Sequence, residues 1–181
     1  MALTMGLRQG EALGLRWRDV DLRLGYLRIS KQLQRIDGRL QLIDLKTDRS
    51  RRTLVMPTSI VNGLREHRAR QAEEHRGRGV TVQSEDLIFT HKDGGGLEGT
   101  TVTRHFHGHL DRAGLPQRRF HDLRHSCAIR LLVQGVSPRV VMEVLGHSEI
   151  GMTMTTYSHV IPELRRDAAD RMEGLLNSPE L

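Results

Sequence analysis

The spacing of apolar residues along this chain changes several times, and each change marks a different element. In "GEALGLRWRDVDL" (10–22) the pattern begins as a helix and then breaks into a short connection. "GYLRIS" (25–30), "LQLIDL" (40–45) and "RTLVMP" (52–57) are short and rich in β-formers. Their connectors "RIDGR" and "KTDRSR" suit hairpins, so these three runs are expected to form a small antiparallel sheet. Thr58 or Ser59 is placed to cap a helix running to about Arg76 and ended by "GRG". "DLIFTHKDGGG" (86–96) reads as a short strand entering a glycine turn.

The second half is helical. Val102, Phe106, Leu110 and Ala113 line one face of a helix that stops at Gly114. Leu123, Cys127 and Leu131 line another over 121–134, which stops at Gly135. In "SPRVVMEVLG", Ser137 is an N-cap, Pro138 the first helical residue and Gly146 the terminator. "SEIGMTMTTY" is a weaker helix, and "PELRRDAADRMEGLL" carries a stripe of Leu164, Ala168, Met172 and Leu175. No repeat, linker or low-complexity tract divides the chain. The expected fold is α+β, mostly helical, in one domain with a three-stranded antiparallel sheet.

Charge narrows the function. The 181 residues carry a net charge of +6, and only Lys31, Lys46 and Lys92 of the 28 basic residues are lysines. Arginines present a planar fork that grips phosphate at two points, so the balance points to a polyanion such as nucleic acid. Codon bias in a GC-rich genome also favours arginine over lysine, but it does not account for the positive sign. The single cysteine, Cys127, excludes an internal disulfide and any multi-cysteine zinc site. No apolar run reaches membrane-spanning length and no signal peptide is visible, so a cytoplasmic protein is expected.

Candidate chemistry falls in five places. "GLRQGE" sets Arg8 and Glu11 three apart, and "FHDLRHSCA" does the same for His121 and Arg124. "LKTDRSRR" puts Lys46 in a hairpin connector, "LGHS" puts His147 just past a helix, and "TTYSHV" offers Tyr157, one of two tyrosines. Taken singly, each has an ordinary reading: a helical ion pair, a solvated helix face, a loop lysine, a C-terminal histidine, a surface tyrosine. In "HFHGH", His105 and His109 have the spacing of a metal pair, but no carboxylate accompanies them and Gly108 weakens the helix. No metal site and no cofactor is expected.

Together, "GLRQGEALGLRWRDVD", "LKTDRSRRTLVMP", "HDLRHSCA" and "VMEVLGHSEIGMTMTTYSHV" resemble the tyrosine recombinases, the phage integrase family, in the family's order and over nearly the whole chain. The resemblance implies site-specific DNA cleavage and rejoining without metal. Tyr157 would attack the phosphorus, leaving a 3′-phosphotyrosyl link. Arg8, Arg124 and His147 would hold the non-bridging oxygens, His121 would take the tyrosine proton, and Lys46 would protonate the departing 5′-oxygen. Glu11 would orient Arg8. Arg49, Arg51, Arg52, Arg118, Arg119 and His125 are candidate DNA contacts. The expected partners are double-stranded attachment sites, further copies of the chain in a tetramer on DNA, and accessory bending or directionality factors. Residues 1–181 would be the catalytic domain without the family's amino-terminal core-binding domain and first catalytic-domain helix. A type IB topoisomerase, a non-catalytic DNA-binding remnant and a histidine-metal nuclease are the alternatives.

Overall fold

The protein is seen in a computed structural model that describes residues 1–47, 50–77 and 79–146, together with helical positions 166, 169, 170, 172 and 173. Two short helices open the chain, α1 (Ala2–Met5) and α2 (Gln9–Leu13), followed by a 3₁₀ turn at Trp17–Asp19. Five strands follow: β1 (Val20–Asp21), β2 (Tyr26–Ile29), β3 (Lys31–Ile36), β4 (Arg39–Asp44) and β5 (Arg52–Val55). The remaining described helices are α3 (Thr58–Arg76), α4 (Gly99–Arg112), α5 (Asp122–Val133) and α6 (Pro138–Leu145).

A three-stranded antiparallel sheet is present, in the order β1-β2-β5, but one of its strands differs from expectation. The run at 40–45 lies outside it and pairs instead with β3 in a separate hairpin, with Leu33 opposite Leu42. β3 was not apparent from the sequence because "KQLQRI" buries only Leu33. β1, the true third strand, is two residues long, too short to show a period. The β3–β4 turn was legible: Asp37 and Gly38 both take positive φ (48° and 76°), as a two-residue turn matching the strand twist requires.

Alternation along β2 sends Leu27 and Ile29, both 0% exposed, into the main core and leaves Tyr26 and Arg28 outside. Leu15, Trp17, Leu54, Met56, Val61, Leu64 and Ile88 pack with them. Each such side chain contributes roughly 1.5–3 kcal/mol on full burial. The Trp17 indole N–H donates to Gln71 Oε1 (2.7 Å), which ties α3 to the 3₁₀ turn. Neither Thr58 nor Ser59 caps α3; Pro57 holds that position without a side-chain bond. Residues 86–90 make only isolated bridges, Arg16 to Leu87 and Thr90 to Gly96, and do not form a strand. A second apolar cluster joins Ala128 and Leu132 of α5 to Val141 and Leu145 of α6. The α6 boundaries match the sequence reading: the Ser137 hydroxyl accepts from the Val140 N–H, and Gly146 ends the helix at φ 66°. The Leu164–Ala168–Met172–Leu175 stripe falls largely outside the described residues; Met172, within them, is exposed. Among the described residues no helix is long and apolar enough to cross a membrane.

The β3–β4 hairpin lies directly on α2. A Cβ at Gly14 would sit 2.8 Å from the Leu33 nitrogen and 2.9 Å from the Gln32 carbonyl carbon, both backbone atoms that cannot swing aside. Gly14→Ala should therefore destabilise the protein by about 1–3 kcal/mol, the usual cost of overpacking, read as a lower midpoint in urea. An unchanged midpoint would show that the hairpin is not seated on α2.

Candidate active site

The local fold around Arg8 explains its spacing from Glu11. Arg8 is the N-cap of α2 and Glu11 its third residue, so the carboxylate reaches back to the Arg8 backbone N–H (2.9 Å) and also accepts from its guanidinium (2.8 Å). Glu11 is 0% exposed. Its second partner was not foreseen. Arg52, from β5, donates to both carboxylate oxygens, at 2.9 and 3.2 Å. Burial pushes the Glu11 carboxyl up, but the hydrogen bonds and charge of Arg52, with those of Arg8, outweigh it and hold the group below its ordinary value.

The end of α6 meets three arginines. Arg52 Nε donates to the Val144 carbonyl (2.7 Å), Arg124 to the Leu145 carbonyl (2.5 Å) and to that of Gly6, and Arg8 to the Gly146 carbonyl (3.5 Å). Three successive carbonyls at a helix C-terminus, unsatisfied within the helix and at its negative end, are thus met by cations. Gly146 is the residue before His147 in the sequence. Arg124 is 2% exposed and turned inward, whereas its HxxR partner His121 is exposed. His121 packs edge-on against the half-buried His125, ring centroids 4.8 Å apart. Burial, then the charges of His125, Arg124, Arg8 and Arg119, push the His121 imidazole below its ordinary value. It is therefore neutral near pH 7 and able to accept a proton.

Lys46 is exposed at the end of the hairpin and lines an open groove of about 1280 Å³ between α2, β3–β4 and α4. Gln9 and Gly10, beside Arg8, line the same groove. Arg104 and His107 of α4 line it too. Of the expected DNA contacts, Arg51, Arg118 and Arg119 are exposed, and Arg119 also pairs with Asp122 (3.0 Å). Arg52 departs from that expectation: its side chain is 6% exposed and engaged by Glu11, Val144 and Ser50. The signal was in the strand period, because Arg52 shares the inward face of β5 with buried Leu54. Arg49, His147 and Tyr157 lie outside the described residues. In the histidine run, His107 pairs with the Arg118 carbonyl (3.0 Å) and His109 with Arg112 (2.9 Å). Among the described residues no group of three His, Cys, Asp or Glu side chains is arranged to hold a metal ion.

The sequence pattern of the phage integrase family matches residues 1–163. A XerC-like tyrosine recombinase of Caldanaerobacter subterraneus subsp. tengcongensis is 35% identical over 97% of this chain and 48% of its own length. The ICEBs1 integrase of Bacillus subtilis is 28% identical over 97% of this chain, again 48% of its own length. The chain thus spans about half the length of these relatives. In three dimensions it is similar to the Tn1549 transposon integrase bound to transposon right end DNA, with a TM-score of 0.80 at 22% identity, covering 95% of this chain and 56% of that one. The XerA recombinase aligns with a TM-score of 0.69 at 21% identity, over 94% of this chain and 54% of that one. At these identities the structural likenesses establish the fold, and it is the fold the sequence implied. The match over residues 1–163 and the 35% identity across nearly the whole chain establish that it belongs to the phage integrase family.

Proposed function

We propose that residues 1–181 form the catalytic domain of a site-specific tyrosine recombinase that cuts and rejoins double-stranded DNA attachment sites, integrating or excising a mobile element. The observation that supports this best is the convergence of Arg8 and Arg124 on the end of α6, the helix that leads in sequence to His147, with His121 close enough for both charges to act on its ring. Several cationic donors converge there, with Glu11 the one buried carboxylate beside them among the described residues.

In the proposed reaction the Tyr157 Oη attacks the scissile phosphorus and passes its proton to neutral His121. The P–O5′ bond breaks as the new P–Oη bond forms, and Lys46 protonates the departing 5′-oxygen. Arg8, Arg124 and His147 stabilise the charge that grows on the non-bridging oxygens, so the arginines do the work a metal would otherwise do. A 5′-hydroxyl of another strand then attacks the phosphotyrosine, reversing the sequence and rejoining DNA. Arg51, Arg118, Arg119, His125 and, from the sequence, Arg49 contribute backbone contacts. Such proteins exchange strands between paired sites, so we place several copies, a tetramer, on DNA in the bacterial cytoplasm or nucleoid, with bending or directionality factors as further partners.

The nucleophile is tested with a pool of nicked duplexes of randomised sequence, in which the released strand diffuses away and traps the adduct. Tyr157→Phe should keep DNA affinity, which phosphate charge dominates, and lose every denaturation-resistant adduct. An adduct formed by the Phe variant, or mapped to Tyr26, would refute the assignment.

Lys46 is tested on the trapped sequence. Lys46→Ala should slow cleavage by about 10²–10⁴-fold, as loss of a general acid does. With sulfur at the 5′-bridging position the leaving group needs no proton, and the variant should cleave near the unmutated rate. Persistence of the defect on the sulfur substrate would remove Lys46 from the role of acid.

A further inference from the structure

We propose that Arg52 is a positioning residue for strand cleavage, setting the phosphate-binding arginines in place through Glu11 and the end of α6. This rests on the strand-transfer reading of the site.

All three guanidinium nitrogens of Arg52 donate to this chain's own acceptors, which marks it as a tie within the fold. Nη1 donates to Glu11 Oε1 (3.2 Å) and the Ser50 carbonyl (3.1 Å), Nη2 to Glu11 Oε2 (2.9 Å), and Nε to the Val144 carbonyl (2.7 Å). These bonds join three segments that lie far apart in sequence. Glu11 is the carboxylate that holds Arg8. Val144 precedes Leu145 and Gly146, whose carbonyls receive Arg124 and Arg8. Ser50 belongs to the connector that returns from Lys46 to β5. Arg52 thus bonds directly to the α2 turn that carries Arg8, to the connector that follows Lys46, and to the end of α6, where Arg124 of α5 also donates.

The backbone at residue 146 is shaped to Arg52. A Cβ on Gly146 would lie 2.9 Å from Arg52 Nη1 and 3.3 Å from its Cδ and Cζ, so the Arg52 side chain occupies the space that a Cβ would need. With φ at 66°, this residue ends α6 in the left-handed conformation. A lysine offers one compact ammonium and cannot satisfy both Glu11 oxygens and two carbonyls together. Losing the fork would leave Glu11 a single guanidinium partner and release the α6 terminus, moving Arg8 and Arg124 relative to the phosphate. Displacements of this size matter because charge stabilisation depends on donors already in place when charge develops.

The test compares Arg52→Lys and Arg52→Gln with the unmutated chain in single-turnover adduct formation on the trapped duplex. Two versions are used: one with the ordinary phosphodiester, one with a methylphosphonate at the scissile position, which lacks the negative charge. Thermal melting and DNA affinity are measured alongside. Both variants should lose about 10²-fold or more in cleavage of the phosphodiester, the scale of a lost oxyanion donor, with DNA affinity within about threefold, since the Arg52 guanidinium donates within the chain. On the methylphosphonate the deficit should shrink to less than about tenfold, because misplaced arginines matter less when there is less charge to stabilise. Should Arg52→Gln unfold, Arg52→Lys keeps a cation beside Glu11 and carries the same comparison. An equal deficit on both substrates would make Arg52 a structural residue only, and a folded variant that cleaves at the unmutated rate would remove any role; either overturns the proposal and leaves the strand-transfer reading standing. Failure of the unmutated chain to form any adduct would overturn both.

Discussion

The site depends on one buried carboxylate. Glu11 has no access to water and is held between two guanidiniums, one from its own helix turn and one from β5. Such an arrangement adds little net stability when intact, because desolvating the ions offsets much of their attraction. Removing one partner costs about 3–5 kcal/mol, because a buried charge is left uncompensated. Its larger consequence is geometric. With Glu11 fixed, Arg8 and Arg52 are fixed, and both reach on to the last carbonyls of α6, where Arg124 of α5 also donates. Each charged hydrogen bond there contributes about 1.5–3 kcal/mol. Segments more than a hundred residues apart thereby meet at a single helix terminus.

The electrostatic consequence is an excess of positive charge that cannot relax. Exposed arginines would turn to find solvent or a nearby acid, as Arg119 does with Asp122. Arg52 and Arg124 are instead tied to backbone carbonyls and remain where the fold puts them. Burial first, and then the field of His125, Arg124, Arg8 and Arg119, holds the His121 imidazole below its ordinary value. On the proposed reading the same field receives a phosphate and supports the tyrosine proton transfer. Lys46 is built differently: it stands exposed at the end of a hairpin seated on Gly14, at the edge of the groove rather than in the arginine cluster.

What was legible in the sequence is what local chemistry decides. Ser137, Pro138 and Gly146 bound α6 through contacts within a few residues, and Asp37–Gly38 specify their turn alone. The Arg8–Glu11 pairing is likewise local. β1 was hidden by its length, and β3 by its polarity, because a hairpin lying on one side of α2 buries little. The inward path of Arg124 and the Arg52–Glu11 bonds depend on partners 118 and 41 residues away, which no local pattern records. Reading "RSRR" as a basic surface run concealed the fact that its last arginine occupies the core-facing register of β5.

The claim that Glu11 is the ionised anchor of this network can be measured on the carboxyl itself. Glu11 is held below the ordinary glutamate value of 4.5, so the stability it contributes is fully present above that pH and is lost as pH falls through its lowered folded value. A ¹³C NMR titration of the Glu11 side-chain carboxyl should show it ionised throughout the range in which exposed glutamates protonate, changing state only at more acidic pH, together with loss of the fold. Titration at or above the ordinary glutamate value, with the fold intact, would contradict the account.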